Sequence, residues 1–133
     1  MEQYDEKFYH SQYEGSVRSA TKFLTKLFSN YKPKSVMDFG CGIGSWLYAA
    51  ENLGVKKLVG LDGEWVKTEQ LLSTSIDFRK VDFKSAETNN TFGDLSFLPC
   101  SDLAISVEVA EHFDESCADR FIGDLTRSSN LII

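Results

Sequence analysis

The stretch SVMDFGCGIGSW, Ser35–Trp46, places an acid, Asp38, just ahead of three alternating glycines, Gly40, Gly42 and Gly44. Glycine accepts positive φ and puts no side chain between backbone and ligand. A strand that runs through such a turn into a helix start therefore offers bare backbone to a polar ligand. Farther along, Asp62 ends LVGLD, Asp82 ends KVDF, and Glu108, Glu111 and His112 crowd the run EVAEHF. Carboxylates at these points can accept hydrogen bonds from hydroxyls or balance a cation. His112 is suited to proton transfer near neutral pH, since the reference value for its ring is about 6.5.

Spacing excludes the two common phosphate loops. A dinucleotide fingerprint needs GxGxxG, and the position of its third glycine, counted from Gly40, holds Ser45. A P-loop needs GxxxxGK followed by Ser or Thr, and no lysine follows Gly44. The acids also have purely structural readings. Asp62 stands where an N-cap would, before Gly63 and Glu64, and Asp82 suits a turn. Asp38 lies inside an apolar run, where an unpaired carboxylate is costly.

The elements that must hold these residues alternate in type. Glu14 to Asn30 has Val17, Ala20, Phe23, Leu24, Leu27 and Phe28 at helical spacing, and Pro33 ends it. SVMDF reads as a strand, and Trp46, Leu47, Ala50 and Leu53 form one face of a helix closed by Gly54. KLVGLD is a second strand, Gly63 to Leu72 a short helix, and IDFRKVDF a third strand. Lys84 to Pro99 reads as a helix fragment and loop. DLAISVEV is a fourth, near-continuous apolar strand, as buried parallel strands tend to be. Asp114 caps a helix carrying Ala118, Phe121, Ile122 and Leu125, and NLII begins a fifth strand. This alternation predicts an α/β fold, a Rossmann-like doubly wound parallel sheet with helices on both faces. Ligands of such sheets bind beyond the carboxyl ends of the strands, which is where the glycines fall.

The 133 residues suit one domain, spanning 1–133. Asn130–Ile133 would be a paired inner strand, so the domain is expected to be incomplete after it. A natural short form, self-associating through that edge, is the alternative. Residues 1–13, with Tyr4, Phe8, Tyr9 and Tyr13, read as a lid or a flexible segment. A net charge of −6 argues against nucleic acid gripped by bulk charge. There is no secretory h-region and no apolar run of membrane-spanning length. Cys41, Cys100 and Cys117 form no CxxC pair, which suggests reduced thiols in the cytoplasm.

In DFGCGIG, with Asp62, Asp82 and DLAISVEVAEHF following in order, the chain resembles the class I S-adenosylmethionine (SAM) dependent methyltransferases. The resemblance implies a SAM site built from Asp38, Gly40, Cys41, Gly42, Gly44, Asp62, Gly63, Asp82, Phe83 and Glu108. In it Asp62 takes the ribose hydroxyls, and Asp82 with the Phe83 backbone reads the adenine edge. It implies methyl transfer to an oxygen or nitrogen of a small-molecule acceptor, with His112 and Glu111 as candidate catalytic residues. The ExxEH spacing is also similar to the partial metal set of small-RNA 2′-O-methyltransferases, with Glu108, Glu111 and His112 as ligands. A non-catalytic SAM-binding module is the third reading. His112 could be base, metal ligand or structural.

Overall fold

A computed structural model describes residues 2–83 and 100–133, with side chains from residue 13 onward. The elements in chain order are α1 (Glu2–Phe28), β1 (Ser35–Phe39), α2 (Ser45–Asn52), β2 (Lys57–Asp62), β3 (Ile76–Lys80), β4 (Leu103–Ile105) and α3 (Glu115–Ser128). One-turn 3-10 helices cover Thr68–Gln70 and Ala110–His112. All strand pairs are parallel, in the order β3-β2-β1-β4. The chain first steps outward from β1 to β3 and then returns to the other side of β1. The reversal in strand order falls between β1 and β4, and the glycine turn leaves β1 there.

Side-chain alternation along β1 divides the core. Val36 joins the layer under α1 and α2, with Ala20, Leu24, Phe28, Leu47, Ala49, Ala50, Leu58 and Leu103. Met37 and Phe39 join the opposite layer, with Leu61, Ala104, Phe121 and Leu125. Period-two alternation puts neighbours on opposite faces, so Asp38 points to the α1/α2 side between Val36 and the glycine turn. Helices thus cover both faces, as the alternating pattern predicts.

Several expectations shift. α1 begins at Glu2 rather than Glu14, and its stripe is Ala20, Leu24 and Phe28; Phe23 is half exposed, edge-on to Trp46 at 5.9 Å. The side chains of Tyr4, Phe8 and Tyr9, on which a lid would depend, lie outside the described residues, as does the segment read as a helix fragment, 84–99. The helix expected over Gly63–Leu72 shrinks to the turn Thr68–Gln70. Hydrogen bonds from Ser73 and Ser75 to Glu51 of α2 hold its carboxyl below the usual range. The fourth strand stops at Ile105, and Glu108 beyond it takes φ 55°. The fifth strand is one parallel bridge, Ala104 to Ile132, with Ser106 N–H donating to the Ile133 carbonyl at 2.8 Å. In α3 the buried face is Phe121, Asp124 and Leu125, and Ile122 faces solvent. Asp114 occupies the N-cap position of α3 without a side-chain cap bond.

The contrast within these helices is measurable. Leu47→Ala, at a fully buried position, is expected to cost about 2–5 kcal/mol. Ile122→Ala, 56% exposed, is expected to cost about 1 kcal/mol or less. Urea unfolding of both variants checks the assignment; equal losses would contradict the observed face of α3.

Candidate functional site

The three glycines all have positive φ but differ in surroundings. A Cβ on Gly40 would lie 2.4 Å from Val109 Cγ2, and one on Gly44 would lie 2.5 Å from Ile76 Cδ1. These two glycines allow the loop following β4 and the start of β3 to close against the turn. Gly42, at φ 54°, would meet nothing within 4 Å. It is the position where bare backbone opens outward, as a ligand cradle requires.

Neighbouring elements pin the turn. Gly40 and Cys41 N–H both donate to the Leu61 carbonyl, at 2.7 and 3.1 Å, and Leu72 N–H donates to the Ile43 carbonyl at 3.0 Å. Asp62 closes the arrangement: its carboxylate accepts from Gly42 N–H and from Gly63 N–H, each at 2.7 Å. Charge-assisted bonds of this length are among the stronger polar contacts in proteins. Gly44 is the N-cap of α2, and no side chain caps that helix, so its first-turn N–H groups face the turn uncapped.

Asp38 is 3% exposed, and its register partners are Gly60 and Ile105. Burial, and then the neighbouring Asp62 carboxylate, push its carboxyl up to about 8. Cys41 is buried over Gly60, where a Cβ would come within 2.7 Å of its Sγ. Burial, then Asp38 and Asp62, raise that thiol well above its ordinary range. Cys41 can thus serve a ligand through its backbone; its side chain belongs to the core.

The remaining candidates sit at the same strand ends with different exposures. Asp82 is exposed just beyond β3, while Phe83 is buried among Phe39, Phe113 and Phe121. The Phe83 ring is therefore core, leaving its backbone at the sheet end. Glu108, Glu111 and His112 are all exposed around the turn Ala110–His112. Val109, between Glu108 and that turn, packs onto Gly40 and joins this loop to the glycine turn. Among the described residues no group of three His, Cys, Asp or Glu side chains could hold a metal ion. Sequence reasoning missed Val109, Ile76 and Trp65; the Trp65 ring covers Gly63, where a Cβ would come within 2.2 Å, yet the side chain is 71% exposed. Val109 and Ile76 look like ordinary strand residues in the sequence, and Trp65, shortly after an acid-ended strand, was the one detectable signal.

A parallel sheet in this order, with an acid-preceded glycine turn after β1 and a second acid closing it from β2, defines a class I methyltransferase fold. The family model of the FtsJ-like methyltransferases matches residues 16–129, and the chain belongs to that family. No curated protein sequence matches it significantly. Among solved structures, the methyltransferase domain of bacterial CtHen1-CN superposes with a TM-score of 0.64 at 19% identity, covering 87% of this chain and 64% of that one. The plantazolicin methyltransferase BpumL, solved with a monoazolic desmethylPZN analog and SAH, gives 0.61 at 19% identity, over 95% and 49%. A putative RNA methyltransferase, PH1948 from Pyrococcus horikoshii, gives 0.56 at 18% identity, over 89% and 57%. The chain spans less than two thirds of the length of each of these structures.

Two measurements probe this geometry. Gly42→Ala is expected to cost about 1–2 kcal/mol, from its backbone conformation alone. Gly40→Ala is expected to cost more, because the stiff, branched Val109 must also move; thermal melts rank the two. The second concerns Asp38. The folded chain keeps its proton up to about pH 8, whereas the unfolded chain loses it near pH 4. The folded state therefore holds the extra proton between those values, and stability falls as pH rises across that window. Asp38→Asn is expected to raise Tm at pH 8 by roughly 4 °C or more and to leave it unchanged near pH 4. A variant no more stable at pH 8 than at pH 4, relative to the parent, would contradict a neutral buried Asp38.

Proposed function

We propose that this chain is the SAM-binding part of a methyltransferase acting on an oxygen or nitrogen of a small acceptor. One observation carries the reading: Gly42 is the open position of an otherwise tightly packed turn, with Asp38 behind it and Asp62 beside it. The residues fit the cofactor. Acids without an adjacent Lys or Arg in the turn suit a cationic, phosphate-free ligand. Uncapped N–H groups at the start of α2 suit its carboxylate. Asp62 retains acceptor capacity for ribose hydroxyls after taking two N–H bonds. The SAH bound to BpumL supports the same cofactor class.

When bound, SAM supplies a methyl group already activated by its sulfonium. The protein's task is to align the acceptor and exclude water. His112 takes the acceptor proton where the acceptor is a hydroxyl, and Glu111 stands beside it on the same turn. Glu108, Glu111 and Asp114 are exposed around that turn. Their charge disfavours a phosphate backbone and favours a neutral or cationic small acceptor. The free thiols Cys41, Cys100 and Cys117 fit a reducing compartment such as the cytoplasm. No helix among the described residues is long and apolar enough to cross a membrane.

The likeness to a putative RNA methyltransferase supports a second reading, RNA 2′-O-methylation with a divalent ion. Chelator-sensitive methylation of an RNA substrate would favour it over the first.

Titration calorimetry with SAM and SAH tests the main reading. The folded chain is expected to bind both, Gly42→Val to bind neither, and Asp62→Asn to bind at least about tenfold more weakly. No binding by a chain whose melt shows it folded would sink the proposal.

A further inference from the structure

The two acids of the glycine turn are not equivalent. Asp62 spends its charge on Gly42 and Gly63 N–H. Asp38 is buried on the same face of the sheet, and its carboxyl feels burial first and then the Asp62 charge. Its register partners, Gly60 and Ile105, carry no charge. From α1 and α2 this layer receives Ala20, Leu24, Leu47, Ala49 and Ala50. The titratable groups that face it are Asp62, from the end of β2, and Cys41, from the turn. A second negative charge, buried and beside Asp62, is strongly disfavoured in such a place.

We infer that Asp38 carries a proton in the free chain and releases it when a cationic ligand fills the glycine turn. The inference rests on the SAM reading of the site and goes beyond it in naming a proton as a product of binding. The O–H bond of the Asp38 carboxyl breaks heterolytically. The proton passes to buffer, and the electron pair stays on the carboxylate, whose charge then balances the ligand's cation. Charge in the buried layer changes little as the site fills. The raised value of about 8 agrees. Affinity for a cationic ligand is accordingly expected to rise with pH up to that value and to level off above it.

Calorimetry of the full chain with SAM at pH 7, in phosphate and in Tris, reads the proton count from the dependence of the heat on buffer ionisation. About one proton is expected to leave per SAM bound. The ligand's own α-amino group, ordinarily near 8, would take up protons on entering an acidic site, so the sign separates the two sources. In Asp38→Asn the release is expected to vanish, and SAM affinity to fall and to lose its rise with pH. Infrared difference spectra of the parent chain give a readout independent of that variant: the carbonyl stretch of a protonated carboxyl should disappear on SAM binding. Buffer-independent heat, an unchanged release in Asp38→Asn, or a carbonyl stretch that persists would overturn the inference while leaving the SAM reading intact. No binding heat in either buffer, from a folded chain, would overturn the SAM reading itself.

Discussion

The bond from Gly42 N–H to the Asp62 carboxylate is the constraint on which the site depends. It ties the turn after β1 to the end of β2 and leaves the open glycine facing outward. Without it, a loop with three positive-φ glycines would have many conformations to lose on meeting a ligand. Asp62 thus organises the turn before any ligand arrives. Burial raises the Asp38 carboxyl most, and the charge of this same carboxylate adds to the shift.

Much of this was legible in the sequence. The parallel sheet followed from apolar strands alternating with helical stripes, and the position of the turn followed from glycines at the end of a strand. Asp38 was recognisable as unusual because it interrupts an apolar run, and its burial bears that out. Element edges were harder. Ile122 lies one position away from the buried face of α3, while Asp124, which pairs with Arg127, lies on it; hydrophobic spacing cannot announce a buried acid. The fourth strand ends early, at Ile105, and the positive φ that follows at Glu108 belongs to a residue type that carries no such signal.

The site residues divide along a similar line. Spacing locates the backbone of Gly42, Gly63 and Phe83 at the carboxyl ends of their strands. What a residue offers through its side chain depended on tertiary packing that spacing cannot see. Cys41 and Phe83 turn their side chains into the core. Asp62, expected to take ribose hydroxyls, also holds the turn. Val109 and Ile76 matter because two glycines make room for them, a complementarity visible only when strands distant in sequence lie side by side.

The seating of Val109 on Gly40 has a consequence for how this scaffold can diversify. The segment after β4 and the glycine turn share one contact surface with no spare volume. New specificity grafted by exchanging residues 107–113 for those of another protein would import a side chain not fitted to Gly40. Re-targeting such a domain, in the laboratory or over generations, thus requires the two segments to move as a matched set.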